Sequence, residues 1–200
     1  MVPSHDTMPS QFVQCLVLGT ANLLSRGFQL DYSAVQGTYI TEARRILAQK
    51  LVDSDAEYGW WIDADMTFPQ DAGFRLFSRK LQIVGCNYRR RKYPIVSFLA
   101  SNGVMGALTV IETNDDSPSL EKVDNIPGGM LMVHRSVYEN MSLPHYANPY
   151  DAKLNSDISE DYYFCAKAKE KGISIYCDHD LSKLVAHVGT IEYTCRPQFK

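Results

Sequence analysis

The sequence predicts an α/β fold, with a mostly parallel central sheet flanked by helices and a mixed C-terminal part. Three observations lead there. Helix-period and strand-period segments alternate through the first half, the pattern of strands joined by crossover helices. Tyr58-Gly-Trp-Trp-Ile62 is a short apolar run that stops on Asp63-Ala64-Asp65. Beyond residue 94 the segments shorten and gather around Asn102-Gly103 and Pro127-Gly128-Gly129, so the regular alternation gives way to hairpins and turns.

Taken in order, Phe12 to Leu18 is apolar and fits helix or strand by periodicity alone. Ser25-Arg26-Gly27 is a loop. Ile40, Ala43, Leu47 and Leu51 recur at helical spacing, so a helix runs from about 40 to 52, capped by Thr38 or Thr41. The Trp-Trp strand and its aspartates follow. Pro69-Gln70-Asp71 opens a helix over 70–79, because proline is tolerated at a helix start. Leu81 to Tyr88 is a strand, followed by Arg89-Arg90-Arg91-Lys92.

Strands over 94–112 turn at Asn102-Gly103, and 113–119 is a surface loop. Strands at 121–126 and 130–134 flank the Pro-Gly-Gly turn, and 135–141 is a short helix. Residues 143–157 are rich in Pro, Asn, Tyr and Asp, a long connection of the kind that often carries function. Ser159 caps a helix ending at Lys171-Gly172. Strands at 173–177 and 184–187 complete the reading.

The 200 residues are enough for one domain with a real core. Apolar content of 45% and charged content of 22% are ordinary for a globular protein, and the net charge of −3 gives no general attraction to nucleic acid or an anionic membrane. No stretch has transmembrane length, and the polar N-terminus does not resemble a signal peptide. The five cysteines, Cys15, Cys86, Cys165, Cys177 and Cys195, form no C-x-x-C pair, which suggests reduced thiols in a cytoplasmic setting. The chain ends on Gln198-Phe199-Lys200 without a stop signal, which leaves room for a further domain.

Two carboxylates one residue apart raise each other's pKa, a cost that a divalent cation removes. Mg²⁺ and Mn²⁺ favour oxygen ligands and share them with substrate phosphates. In open α/β sheets, ligands bind beyond the carboxyl ends of strands, where these aspartates sit. A metal–diphosphate site follows. The alternative is that Asp63 caps the next turn while Asp65 is solvated.

Seven segments, in order over most of the chain, carry a resemblance. They are Val2-Pro3-Ser4-His5-Asp6, Thr41-Glu42-Ala43-Arg44-Arg45, Trp61 to Pro69, Val84 to Arg91, Pro127 to Arg135, Ser159-Glu160-Asp161-Tyr162-Tyr163-Phe164-Cys165, and His187-Val188-Gly189. Together the sequence resembles the GT-A nucleotide-sugar glycosyltransferases, a Rossmann-like group, and its family-2-like members in particular. It departs from them at Arg45, where asparagine is usual. Within that group it is similar to N-terminal glycosyltransferase domains of chlorella-virus proteins that glycosylate the major capsid protein, which would work in host cytoplasm.

The resemblance implies a UDP-sugar donor, a glycan or glycoprotein acceptor such as a capsid protein, and Mn²⁺ or Mg²⁺. It implies Asp65 and His187 as metal ligands and Asp63 as a further one, reaching the ribose or the metal through water. Pro3, Ser4, Asp6, Arg44, Asp63, Ala64, Asp65, Gly128 and Gly129 would bind the nucleotide sugar. Asp161 would be the base and Glu160 its neighbour or an acceptor contact.

Plainer roles exist for the same residues. Acidic side chains suit a helix N-terminus. Arg44, placed early in a helix where a cation is disfavoured, needs a diphosphate or carboxylate partner, or forms a surface ion pair. Gly128 and Gly129 permit unusual φ or close approach, or form a plain turn. The basic run at 89–92 meets the leaving diphosphate or is solvated. Tyr146, Tyr150 and Tyr162 stack on an acceptor sugar or belong to the core. Two other functions share the same plan: a metal-dependent nucleotidyltransferase, and a non-catalytic glycan-binding module.

Overall fold

The computed structural model describes residues 1–4, 7–90, 98–189 and 193–194. Asp6, Arg91, Lys92, Cys195 and the first residues of the expected 94–112 strands lie outside them. The chain runs β1 (Val2–Pro3), α1 (Ser10–Ser25), β2 (Ala34–Val35), α2 (Ile40–Val52), β3 (Tyr58–Ile62), β4 (Met66–Thr67), α3 (Ala72–Ser78), β5 (Ile83–Gly85), β6 (Ser101–Val104) and β7 (Ala107–Val110). It continues through β8 (Leu120–Val123), β9 (Met130–His134), α4 (Arg135–Asn140), β10 (Tyr150–Asp151), β11 (Ser156–Asp157), α5 (Glu160–Glu170), β12 (Ile175–Asp178), α6 (His179–Ser182), β13 (Ala186–His187) and β14 (Tyr193–Thr194).

The main sheet has five strands in the order β3-β9-β5-β12-β8. Only β5–β12 is a parallel pair; β3–β9, β9–β5 and β12–β8 are antiparallel. The α/β class holds, but the mostly parallel sheet does not form. Strands β3 and β5, joined through α3, do run the same way. The Gly128-Gly129 turn feeds β9 between them in the opposite direction, so the two never pair. A parallel two-residue ladder of β1 and β2 lies beside β3, where Met1 N donates to Trp60 O at 3.0 Å and Ile62 N donates to Met1 O at 3.1 Å.

Side-chain alternation sorts the sheet into two faces. Trp61, Leu131, Val133, Ile83, Ile175, Cys177 and Val123 point to one core, covered by Leu47 and Leu51 of α2, Val137 and Tyr138 of α4, and Phe164 and Ala168 of α5. Trp60, Ile62, Met130, Met132 and Val84 point to the other, covered by Phe12 of α1, Leu76 of α3 and Leu181 of α6. Burial on both faces explains why β3 and β9 read as continuous apolar runs rather than alternating ones.

Several local expectations change. The apolar run at 12–18 is the middle of a 16-residue helix. Neither threonine caps α2: its N-cap is Tyr39, without a side-chain hydrogen bond, and Thr41 Oγ1 instead meets Asn148 Oδ1. Asn102-Gly103 is not a turn but lies inside β6, and the chain reverses at Met105-Gly106. Strand β5 covers three of the residues expected over 81–88; Cys86 N still donates to Met130 O at 2.9 Å, and Asn87 N then turns to Ser182 Oγ at 2.8 Å. The connection at 143–157 holds the β10–β11 hairpin.

Candidate active site

The site is assembled at one edge of the sheet, where β3 and β5 end and β9 begins. Strand β3 stops at Ile62. Asp63 O then accepts from Met66 N at 3.1 Å, closing a turn through Ala64 and Asp65. Asp63 N donates to Gly129 O at 3.0 Å, which ties this turn to the start of β9. The two aspartates therefore stand on a turn rather than on a continued strand. Asp65 O accepts from Val188 N at 2.6 Å, so the antiparallel pairing of β13 with β4 brings His187 beside the turn.

Arg44 reaches the same edge from the start of α2 and is 2% exposed. Its Nη2 donates to Asp63 Oδ1 at 2.8 Å, its Nε to Glu160 Oε1 at 3.2 Å, and its Nη1 to Gly128 O at 3.2 Å. The surface ion pair is thus excluded, and the carboxylate partners that a cation at this position requires are present. Burial works against the Arg44 charge, but Asp63 and Glu160 outweigh it and hold its pKa above the ordinary arginine value. Burial pushes Asp63 up; Arg44 pulls it down, Asp65 pushes it up again, and His187 and Asp161 act on it more weakly. Glu160 is likewise raised by burial, opposed by Arg44. Asp63, Asp65, Glu160, Asp161, His187 and Arg44 therefore share one electrostatic neighbourhood.

Glu160 and Asp161 open α5, where negative charge suits the helix N-terminus. Ser159 is the N-cap residue but makes no side-chain bond to a backbone N–H of the helix; its hydroxyl donates to Asp161 Oδ1. Tyr162 N donates to the same oxygen at 2.8 Å. His187 Nδ1 lies 2.9 Å from Arg89 O. A carbonyl only accepts, so Nδ1 carries a proton in this contact.

Gly128 and Gly129 do not have positive φ; among the described residues the glycines that do are Gly27, Gly37, Gly103, Gly106 and Gly172. Their requirement is space. A Cβ on Gly128 would stand 2.8 Å from the Arg44 guanidinium carbon, and one on Gly129 would stand 2.4 Å from Tyr88 Oη. Tyr88, within the Val84 to Arg91 segment but given no role by the sequence, stands at this turn. It accepts from Gly129 N at 2.7 Å, packs edge-on to His187 at 4.5 Å between ring centres, and has its pKa raised by burial and by Asp63. The signal available was its place just beyond a strand's carboxyl end.

Pro3 and Ser4 leave β1 at the same end as Asp63 leaves β3, with Ser4 N donating to Val35 O at 3.0 Å. Ala64 packs against the second core. Tyr146 is core, stacked on Phe164 at 5.1 Å, whereas Tyr150 is exposed. Tyr162 Oη is 3.1 Å from Ser101 Oγ. The Arg89 guanidinium lies over the Phe98 ring at 4.5 Å, and Arg90 is exposed.

Among the described residues no three His, Cys, Asp or Glu side chains gather closely enough to hold an ion unaided. Two carboxylates and an imidazole are nonetheless a donor set suited to Mn²⁺ or Mg²⁺.

This fold has a solved counterpart. The crystal structure of A197 from STIV superposes on 94% of this chain and 83% of its own, with a TM-score of 0.64 and 14% identity. That likeness concerns the fold alone. The inositol-1-phosphate CTP transferase from T. maritima aligns over 80% of this chain and 64% of its own at 12% identity, with a TM-score of 0.36, too low to bear on fold or function. No protein-family model and no curated protein matches the sequence. No helix among the described residues is long and apolar enough to cross a membrane.

Proposed function

We propose that the protein is a metal-dependent GT-A glycosyltransferase that moves a sugar from a nucleoside diphosphate, UDP in particular, to a hydroxyl of a glycan or glycoprotein such as a capsid protein. One observation carries the reading. Asp63, Asp65, Arg44, Gly128, Gly129, Glu160, Asp161 and His187 come from five segments of the sequence that resemble this family, and they converge on one sheet edge.

The donor diphosphate lies over the Asp63–Met66 turn. Asp65 and His187 would hold Mn²⁺ or Mg²⁺, with Asp63, whose Oδ1 Arg44 engages, reaching it through water. Such an ion offsets charge on the departing diphosphate. Asp161 faces the acceptor, its carboxylate oriented by the Ser159 hydroxyl and Tyr162 N–H. In the inverting course, the acceptor oxygen bonds to the anomeric carbon as the carbon–phosphate-oxygen bond breaks. The hydroxyl proton passes to Asp161 and the diphosphate leaves with the electron pair. Closure of the 143–157 connection, whose Asn148 meets Thr41 of α2, would limit the entry of water.

Titration calorimetry of UDP with Mn²⁺, and again with EDTA, tests this. Binding is expected with the metal and lost with the chelator, and Asp65→Ala is expected to abolish metal-dependent donor turnover. Full turnover by Asp65→Ala, or UDP binding indifferent to EDTA, would overturn it.

A further inference from the structure

We infer that Arg44 is a positioning residue: a buried cross-link that sets the distance between the Asp63-Asp65 turn and the Glu160-Asp161 helix start, not a contact to the nucleotide. The kinetic part of this rests on the function proposed above; the structural part does not. Arg44 takes one carboxylate from each acidic pair, Asp63 at 19 residues' separation and Glu160 at 116. Its third partner, Gly128 O, belongs to the turn that starts β9. One guanidinium thus joins α2, the end of β3, the start of β9 and the start of α5.

Its surroundings leave no face for a diphosphate. The side chain is 3% exposed, against 26% for Asp63 and 13% for Glu160. Gly128 packs so closely on it that a Cβ there would lie 2.8 Å from Nη2 and 3.0 Å from Nη1. A planar fork can hold both carboxylates and a carbonyl at fixed angles, whereas an ammonium is a point charge on a flexible stem. The donor-side and acceptor-side carboxylates are therefore spaced by the one residue type able to reach both.

The test uses the full chain and two readouts. In thermal unfolding, Arg44→Met is expected to lower Tm, since it leaves Asp63 and Glu160 facing each other without a cation. Adding Glu160→Gln should recover part of that loss, and strictly additive losses would overturn the cross-link. If Arg44→Met does not fold, the same cycle is run with Arg44→Lys. In kinetics, Arg44→Lys is expected to keep UDP affinity in Mn²⁺ within about threefold while kcat falls by about 30-fold or more. A loss of UDP affinity of about tenfold or more with kcat unchanged would instead make Arg44 a ligand contact. If the wild-type chain binds no UDP, the proposed function fails, and the cross-link is still decided by the Tm cycle.

Discussion

A methyl group added at Gly129 would stand 2.4 Å from Tyr88 Oη and 2.8 Å from Asp63 Oδ2. Both neighbours are held: Tyr88 is 2% exposed and accepts from Gly129 N, and Asp63 is bound to Arg44. Gly129→Ala is therefore expected to destabilise the fold by about 1–3 kcal/mol, the usual range for overpacking a tight interior. For a chain of this size that is a Tm loss of about 2–4 °C per kcal/mol. Tyr88→Phe has its own cost, because Gly129 N–H loses its acceptor. It also removes the atom closest to the new methyl. The double variant should therefore be more stable than the sum of the two losses, which differential scanning calorimetry would show. Full additivity would mean that the turn moves away from Tyr88 instead. Sequence marked Gly128 and Gly129 as special but left close approach, unusual φ and a plain turn all open, since nothing in Pro-Gly-Gly distinguishes a need for space from a need for positive φ. The partner that decides it, Tyr88, is 41 residues away.

The β6–β7 hairpin shows the same limit at the scale of elements. Asn102-Gly103 favours a two-residue turn, yet side chains from elsewhere hold it within β6. Asn102 Oδ1 accepts from Asp124 N at 2.9 Å, Asp124 Oδ2 accepts from Gly103 N at 2.7 Å, and Asn125 Nδ2 donates to Gly103 O at 3.1 Å. Local turn preference loses to three tertiary hydrogen bonds. Helix α2 was legible from one apolar face at helical spacing, α3 from Pro69 at its start, and α5 from Ser159 and Gly172 at its ends. The order of strands was not, because insertion of β9 depends on packing that no local pattern records. Asp124 also makes the hairpin's contribution measurable. The Gly103 N–H holds its pKa below the ordinary carboxylate value, with burial opposing and Lys169 assisting. A depressed folded-state pKa stabilises the protein above the unfolded value, and that stability is lost as pH falls through the folded value. Asp124→Asn is expected to cost about 0.2–1 kcal/mol at neutral pH, discounted because the side chain is 41% exposed. Urea melts of the two proteins should converge well below pH 3.8. A gap that persists in acid would locate the loss in geometry rather than charge.

Across the whole molecule, one sheet serves two cores, and the adjacent tryptophans of β3 report on them separately. Trp60 lies edge-on to Phe68 at 5.4 Å and places its Nε1 3.3 Å from the Met130 sulfur. Trp61 faces the other way, 6.0 Å from Tyr138 and 5.8 Å from Tyr146 between ring centres, under α4. The site sits where both layers meet the sheet's edge: Arg44 and Glu160 arrive on helices that cover the Trp61 face, whereas Met66 and Tyr88 belong to the Trp60 core. Its geometry thus requires both layers to be in place together. Because every strand of the main sheet contributes to both cores, neither layer can melt without stripping one face of the other's support. Trp60→Phe and Trp61→Phe each leave a single fluorophore on a known face. In urea, the emission of the remaining tryptophan should follow the far-ultraviolet circular dichroism of the same variant with one midpoint, whichever face is observed. A fluorescence midpoint that precedes the loss of secondary structure for only one variant would show that its layer detaches first. The edge site would then be lost before the fold, and the residue-scale couplings among Arg44, Asp63 and Glu160 would weaken at that same, lower urea concentration.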